Sequence, residues 1–254
     1  RRDNAFTEIM KSLYLIIACL QLFTVIQCSL TDEGIGVKGT NEHNSFGTAR
    51  VNLEDGTVIE YGAIIITPCL VVTVADACND SKAMEIWSGQ RNCSTYEQLR
   101  LVSETYVQED LCAAVTTKPF AFTGATQPVG TDFGDGFTEN VTAVGCAPPY
   151  ETINTATFNR VPLQACKDFY NDTTLGADVY CAECPIPAST CSAPRGNPIY
   201  SNGRAVGISN KVHPEKCATG GLVQFTLLSP YDEFIIEVFE KTQQKCNEQM
   251  ICED

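Results

Sequence analysis

Along most of the chain, short apolar runs alternate with polar turns at intervals that suit β-strands and leave little room for helices. The stretch "GTARVNLEDGTVIEYGAIIITPCLVVTVADAC" holds three such runs, divided by an Asp55-Gly56 turn and a Pro68-Cys69 turn. Further runs lie at 82–87, 99–107, 110–117, 141–144, 156–162, around 199, 205–208 and 221–226. Many short strands with regular turn signals predict an all-β barrel or sandwich.

The end of the chain breaks this pattern. In "SPYDEFIIEVFEK", Ser229 can cap a helix, Pro230 suits its first position, and Asp232 and Glu233 suit its first turn. Phe234, Ile235, Val238 and Phe239 then fall on one face. The spacing predicts a single amphipathic helix closing the domain against a barrel, with Cys246 paired locally to Cys252 to tie down a loose tail. No repeat of solenoid period and no linker interrupts the chain.

The near-N-terminal segment sets the compartment. From Met10 the chain reads "MKSLYLIIACLQLFTVIQCS": one lysine, an apolar run over 13–26 and small residues suited to cleavage near Cys28 or Ser29. That is the pattern of a secretory signal peptide over 10–28, and the run is too short to span a bilayer. Residues 1–9 precede the initiator-like Met10 and read as a leader or remnant; the expected mature domain is 29–254.

Cysteine usage agrees with export. Of 14 cysteines, Cys19 and Cys28 leave with the signal, and the even remainder implies disulfides. Cys181-x-x-Cys184 has no second such pair at finger spacing and no nearby histidine, so no metal or other cofactor is expected. Net charge is −14; residues 1–28 carry three basic and two acidic side chains, so the mature chain stands at about −15. Such a surface disfavours nucleic acid and anionic membranes. Asn79, Asn92, Asn140 and Asn171 each begin an N-x-Ser/Thr sequon, candidate glycosylation sites in a secreted chain.

Several segments carry a resemblance in order. "YGAIIITPCLVVTVADAC" resembles the trypsin-family segment leading to the base, and "QEDLCAAVTTKPFAFTGATQPVG" the one holding the triad aspartate. "VTAVG" resembles its Gly-Trp-Gly turn, and "VPLQACKDFY" with "VYCAEC" the flanks of a family disulfide loop. The resemblance covers about 35–241, with a cysteine-containing tail over 242–254. The chain is similar to a chymotrypsin-like serine protease, which implies two six-stranded antiparallel β-barrels with a cleft between them and a C-terminal α-helix. The resemblance also implies disulfides Cys166–Cys181 and Cys191–Cys217, whereas the cysteine usual before the base is replaced near Tyr61 and eight cysteines must pair anew.

Placed on that family's motifs, the catalytic positions are altered. "CSAPRGNP", residues 191–198, stands where the family has Cys-x-Gly-Asp-Ser-Gly-Gly-Pro, so Arg195 falls on the nucleophile position. The histidine position falls on Asp76, or on Ala77 by one residue's shift, and only Asp110 of the triad is retained. The chain's two histidines, His43 and His213, lie in neither place and read as loop residues. The candidate activation segment, Asp32-Glu33-Gly34-Ile35, lacks the basic residue that the family cleaves after, and Pro194 replaces the acid that would receive a freed N-terminus. Ser189 falls at the specificity-pocket floor, and Asn210-Lys211-Val212 where Ser-Trp-Gly would lay out substrate backbone.

The resemblance therefore implies a secreted serine protease homologue with no functional catalytic residues. Its expected partner is a protein: a protease, a protease substrate or an inhibitor. The alternative is residual or unconventional hydrolysis, one version of which uses Asp76 and Asp110 as an acid–base pair. For Arg195 two placements remain open: pointing into solvent, or paired with Asp76 or Asp110 as a plug of the former active site.

Overall fold

The structure, a computed structural model, describes residues 43–79, 81–90, 92–130, 140–146, 153–176, 178–183, 195–211 and 222–251. The first barrel contains β1 (Phe46–Asn52), β2 (Val58–Ile65), β3 (Leu70–Val74), β4 (Ala83–Ser88), β5 (Gln98–Gln108) and β6 (Leu111–Thr116). It closes in the order β1-β2-β3-β6-β5-β4. The second contains β7 (Asn140–Cys146), β8 (Ile153–Val161), β9 (Val179–Glu183), β10 (Pro198–Ser201), β11 (Arg204–Lys211) and β12 (Leu222–Leu227), closing as β10-β11-β12-β9-β8-β7. Every pairing is antiparallel. The expected two six-stranded barrels are what the chain forms.

The strands behave as their patterns dictate. The near-continuous apolar runs of β3 (LVVTV) and β6 (LCAAVT) are buried at every position, because they lie between neighbours on both faces. In contrast, β5 exposes Leu101, Ser103, Thr105 and Val107 while half-burying the residues between them, the alternation of an outer wall. In the second barrel Val141, Phe158, Val206, Val223 and Phe225 fill the interior.

Among the described residues three α-helices accompany the barrels: α1 (Ala75–Asn79), α2 (Leu163–Tyr170) and α3 (Asp232–Ile251). Neither α1 nor α2 was expected, and β9 was expected only as a disulfide flank. Both are too short for a period to separate helix from strand, although Leu163, Cys166 and Tyr170 of α2 do share one face. In α2, Cys166 is fully buried under a bond to Cys181 in β9, and Asn171 ends the helix in a left-handed conformation at φ 51°.

The closing helix differs from its expected form in two ways. Ser229 does not cap it: Ser229–Tyr231 is a 3₁₀ turn entered from Leu228 without a side-chain cap, and α3 begins at Asp232. The helix then runs through 242–251 instead of giving way to a loose tail. Cys246 is bonded to Cys69 and not to Cys252, because Tyr231, Ile235, Val238, Thr242 and Cys246 form one buried stripe that brings it against the β2–β3 turn. Phe234 and Phe239 pack at its border.

Two further disulfides fasten the parts. Cys93, between β4 and β5, joins Cys146 of β7 and so links the barrels. Cys78 of α1 joins Cys112 of β6, with Cα atoms 6.2 Å apart. Among the described residues no helix is long and apolar enough to cross a membrane.

Candidate functional site

The site is assembled where β3, the β5–β6 turn and the start of β10 meet. Asp76 sits in the first turn of α1 directly after β3. Asp110 sits in the β5–β6 turn, which Glu109 forms at φ 49°. The Ala75 N–H donates to the Asp110 carbonyl (2.9 Å), and the Cys78–Cys112 disulfide ties the same two elements again, two residues beyond Asp76 and Asp110. Asp76 and Asp110 are therefore held on neighbouring elements although 34 positions separate them in sequence.

Arg195 reaches them from the second half of the chain. Its carbonyl accepts from the Gly62 N–H (2.8 Å), and the next residue, Gly196, takes φ +85° and donates to the Ser209 carbonyl (2.7 Å). A Cβ on Gly196 would lie 2.3 Å from the Gly62 carbonyl oxygen, so only glycine fits this crossing. Asn197 then wedges between the barrels: Cβ atoms on Gly62 or Gly145 would each fall 2.3 Å from its side chain. These contacts fix where the Arg195 side chain starts.

All three guanidinium nitrogens are used. Nη1 bonds and ion-pairs with Asp76 Oδ2, Nε donates to the Asn210 carbonyl (2.5 Å) and Nη2 to Asn210 Oδ1 (3.0 Å). The Asn210 amide nitrogen in turn donates to Asp110 Oδ2 (2.8 Å) and Thr226 Oγ1 (2.9 Å). Of the two placements open for Arg195, the ion-paired one is formed, with Asp76 as its acid; Asp110 is reached through Asn210. The Asp110 carboxylate, which the family would bury, lies exposed at the cleft.

Asn210 was missed as a site residue in sequence. Its signal was its place where the family has serine: a hydroxyl has one proton to give, while an amide has two and so donates to a carboxylate and a threonine hydroxyl while accepting from a guanidinium. The residue is 7% exposed, which makes this relay the buried part of the constellation.

Beside it opens a cleft pocket of about 620 Å³, lined by Asp110, Asp172, Asp178, Arg195, Asn210 and Gln224 among others. Tyr231, the last residue of the 3₁₀ turn before α3, donates to Glu109 Oε2 (3.2 Å). Burial first, then the carboxylates of Asp178, Glu109 and Asp110, push its phenol well above the usual tyrosine range.

Other predicted residues are placed as follows. Asn79, Asn140 and Asn171 are exposed. Asn92 is half-buried and its Oδ1 accepts from Ser94 N–H, Ser94 Oγ and Thr95 Oγ1. Cys184, Ser189, Cys191, Ser192, Pro194, His213 and Cys217 lie outside the described residues, as does the segment over 10–28. Among the described residues no group of three or more His, Cys, Asp or Glu could hold a metal ion.

Comparison with known proteins agrees with this architecture. The family profile described as Trypsin matches residues 35–235. The scabies mite inactivated protease paralogue S-I1 superposes with a TM-score of 0.68 at 20% identity, covering 81% of this chain and 99% of its own. A second scabies mite inactivated paralogue, S-D1, gives 0.68 at 16% identity, covering 85% and 97%. HL collagenase gives 0.72 at 14% identity, covering 83% and 98%. At these identities the superpositions speak to the fold, and no curated protein sequence matches the chain significantly. With two closed barrels, a closing helix and a family profile spanning most of the described residues, the chain belongs to the trypsin family.

Proposed function

We propose that this protein is a secreted, non-catalytic member of the trypsin family that acts as a protein-binding or regulatory module. The observation that carries the reading is the Arg195 constellation. A guanidinium bonded to Asp76 and Asn210 occupies the position where the family resemblance puts the nucleophile, and an aspartate stands in place of the base. Arginine stays protonated and has no lone pair with which to attack a carbonyl. In serine proteases, loss of the nucleophile or base costs on the order of a million-fold in turnover. The carboxylate-pair alternative is disfavoured because Asp76 is committed to Arg195 and Asp110 to Asn210.

Secretion is supported by four disulfides among the described residues, by the signal-like segment over 10–28 and by four sequons. Protein partners are favoured because loops on a rigid scaffold are where such folds recognise other molecules. Two of the solved structures it resembles are described as inactivated paralogues, which fits the same reading. The test is digestion of a diverse peptide library by protein secreted from eukaryotic cells, read by mass spectrometry. No cleavage is expected above the level of a parallel blank purification; reproducible cleavage at a defined residue, retained through a second purification step, refutes the proposal.

A further inference from the structure

We infer that Asn79 and Asn171 carry N-linked oligosaccharides that stand on opposite walls of the cleft holding Arg195 and close it to polypeptides. This rests on the secreted reading and adds where a protein partner does not dock: recognition falls to surfaces outside the cleft.

Placement is the first argument, because both asparagines adjoin the Arg195 constellation from different barrels. Asn79 is the last residue of α1, three positions after Asp76, the acid that pairs with Arg195. Residues three apart on a helix share a face, with Cβ atoms about 5–6 Å apart. Asn171 follows α2 and immediately precedes Asp172, which lines the cleft pocket with Thr174, Arg195 and Asn210. Arg195 belongs to both neighbourhoods, since it pairs with Asp76 and also lines the pocket. One sugar chain therefore rises from the first-barrel wall and the other from the second, with Arg195 between them. Asn92 and Asn140 adjoin none of these residues in sequence.

Local structure is the second argument. Both asparagines are exposed, and among the described residues neither side-chain amide is engaged in a hydrogen bond. A folded protein accommodates so bulky a group only where the asparagine stays in water. The backbone at Asn171 is fixed while its side chain is left available. It takes the left-handed conformation that asparagine tolerates (φ 51°, ψ 43°), and the N–H groups of Asn171 and Asp172 donate to the carbonyls of Asp168 (3.4 Å) and Lys167 (3.0 Å). Asp172 Oδ1 then accepts from the Thr174 N–H (2.9 Å) and Oγ1 (2.6 Å), which sets the turn beyond it. At Asn79, the Cys78–Cys112 disulfide anchors the end of α1, and Ser81 Oγ donates to the Cys78 carbonyl (3.1 Å). Asn92 differs: it is half-buried and its Oδ1 is held by Ser94 and Thr95. In the transfer, the asparagine Nδ2 bonds to the anomeric carbon of a lipid-pyrophosphate-linked oligosaccharide. That carbon's bond to the pyrophosphate breaks, the lipid pyrophosphate leaves, and the amide nitrogen gives up one proton, with nothing oxidised or reduced.

The test starts from the full chain secreted by eukaryotic cells. Enzymatic release of N-linked sugars in heavy-oxygen water converts each occupied asparagine to a labelled aspartate, which peptide mass spectrometry locates. Asn79 and Asn171 are both expected to be labelled in most molecules. Closure is read on Thr174→Cys, an exposed position lining the pocket, treated with a small maleimide or with a long poly(ethylene glycol) maleimide and corrected for the wild-type background. The small reagent is expected to react at the same rate with and without sugars. The long one should react severalfold more slowly on the glycosylated protein, with its rate restored by native deglycosylation or by Asn79→Gln with Asn171→Gln. Either asparagine found unoccupied in secreted, folded wild-type protein overturns the inference without recourse to any variant and leaves the secreted reading intact. Equal rates for the long reagent before and after sugar removal overturn the closure. A chain retained inside the cell with no sugar attached refutes the secreted reading and the inference with it.

Discussion

Replacing Arg195 by serine puts the family's nucleophile type back at its position and, on the account above, yields a less stable protein that still does not hydrolyse peptides. Which of its contacts matters most follows from their exposure. The Arg195–Asp76 ion pair is open to water, with side chains 40% and 44% exposed, so it contributes about 0–1 kcal/mol. The bonds to Asn210 are to a residue 7% exposed, and each contributes about 1 kcal/mol. Arg195→Ser should then cost about 2 kcal/mol, or about 4–8 °C in melting temperature for a fold of this size. Asp76→Asn should cost under about 1 kcal/mol. Asn210→Ala keeps the carbonyl that Nε uses but loses the side-chain bonds to Arg195 Nη2, Asp110 and Thr226, and should cost about 3 kcal/mol. Differential scanning calorimetry of the three proteins gives the order directly. An Arg195→Ser protein that melts within about 1 °C of wild type, or an Asp76→Asn cost above that of Asn210→Ala, refutes the reasoning.

Three more consequences are open to measurement. Cys69→Ser with Cys246→Ser opens a link of 177 residues between the first barrel and α3, and should destabilise by about 2–5 kcal/mol, read by urea unfolding; other disulfides within that loop keep the loss below the full entropic limit. Gly196→Ala should cost about 2–4 kcal/mol because its Cβ meets the Gly62 carbonyl at φ +85°, whereas Gly203→Ala, at φ +75° with open space, should cost about 1 kcal/mol; comparable losses would show that backbone strain alone governs both. Tyr170 donates to the Leu222 carbonyl (2.7 Å), and burial pushes its phenol up to about 12. A raised phenol favours the fold fully below the unfolded tyrosine value of about 10 and loses that contribution between about pH 10 and 12, so Tyr170→Phe should flatten the alkaline stability profile in that window.

Barrel strands were legible because their information is local: a run of apolar residues bounded by Asp55-Gly56 or Pro68-Cys69 needs no distant partner to be read. That Asp76, Asp110 and Arg195 come together could be expected only through the order of family-like segments, since they meet only after both barrels close. What escaped was short or cross-chain. Two-turn α2 and one-turn α1 are too short for their pattern to outweigh that of a strand or loop, and β9 is five residues around a cysteine. The partners of Cys69, Cys78 and Cys93 depend on which turns the barrels bring together, for which spacing gives no rule. Asn210 escaped because its role exists only between Arg195 and Asp110. The long reach of α3 was hidden by the polar residues over 243–247, while Thr242 and Cys246 carried its buried stripe one turn apart.

The central claim, that Arg195 fills the place of a nucleophile and leaves none, is tested most directly by a fluorophosphonate probe on the native secreted protein. The account predicts no covalent labelling, with intact mass unchanged under conditions that label an active trypsin-family enzyme to completion, and no labelling of Arg195→Ser, which still lacks a base. Stoichiometric labelling of the native protein that disappears on changing Ser189 or Ser192 would contradict it.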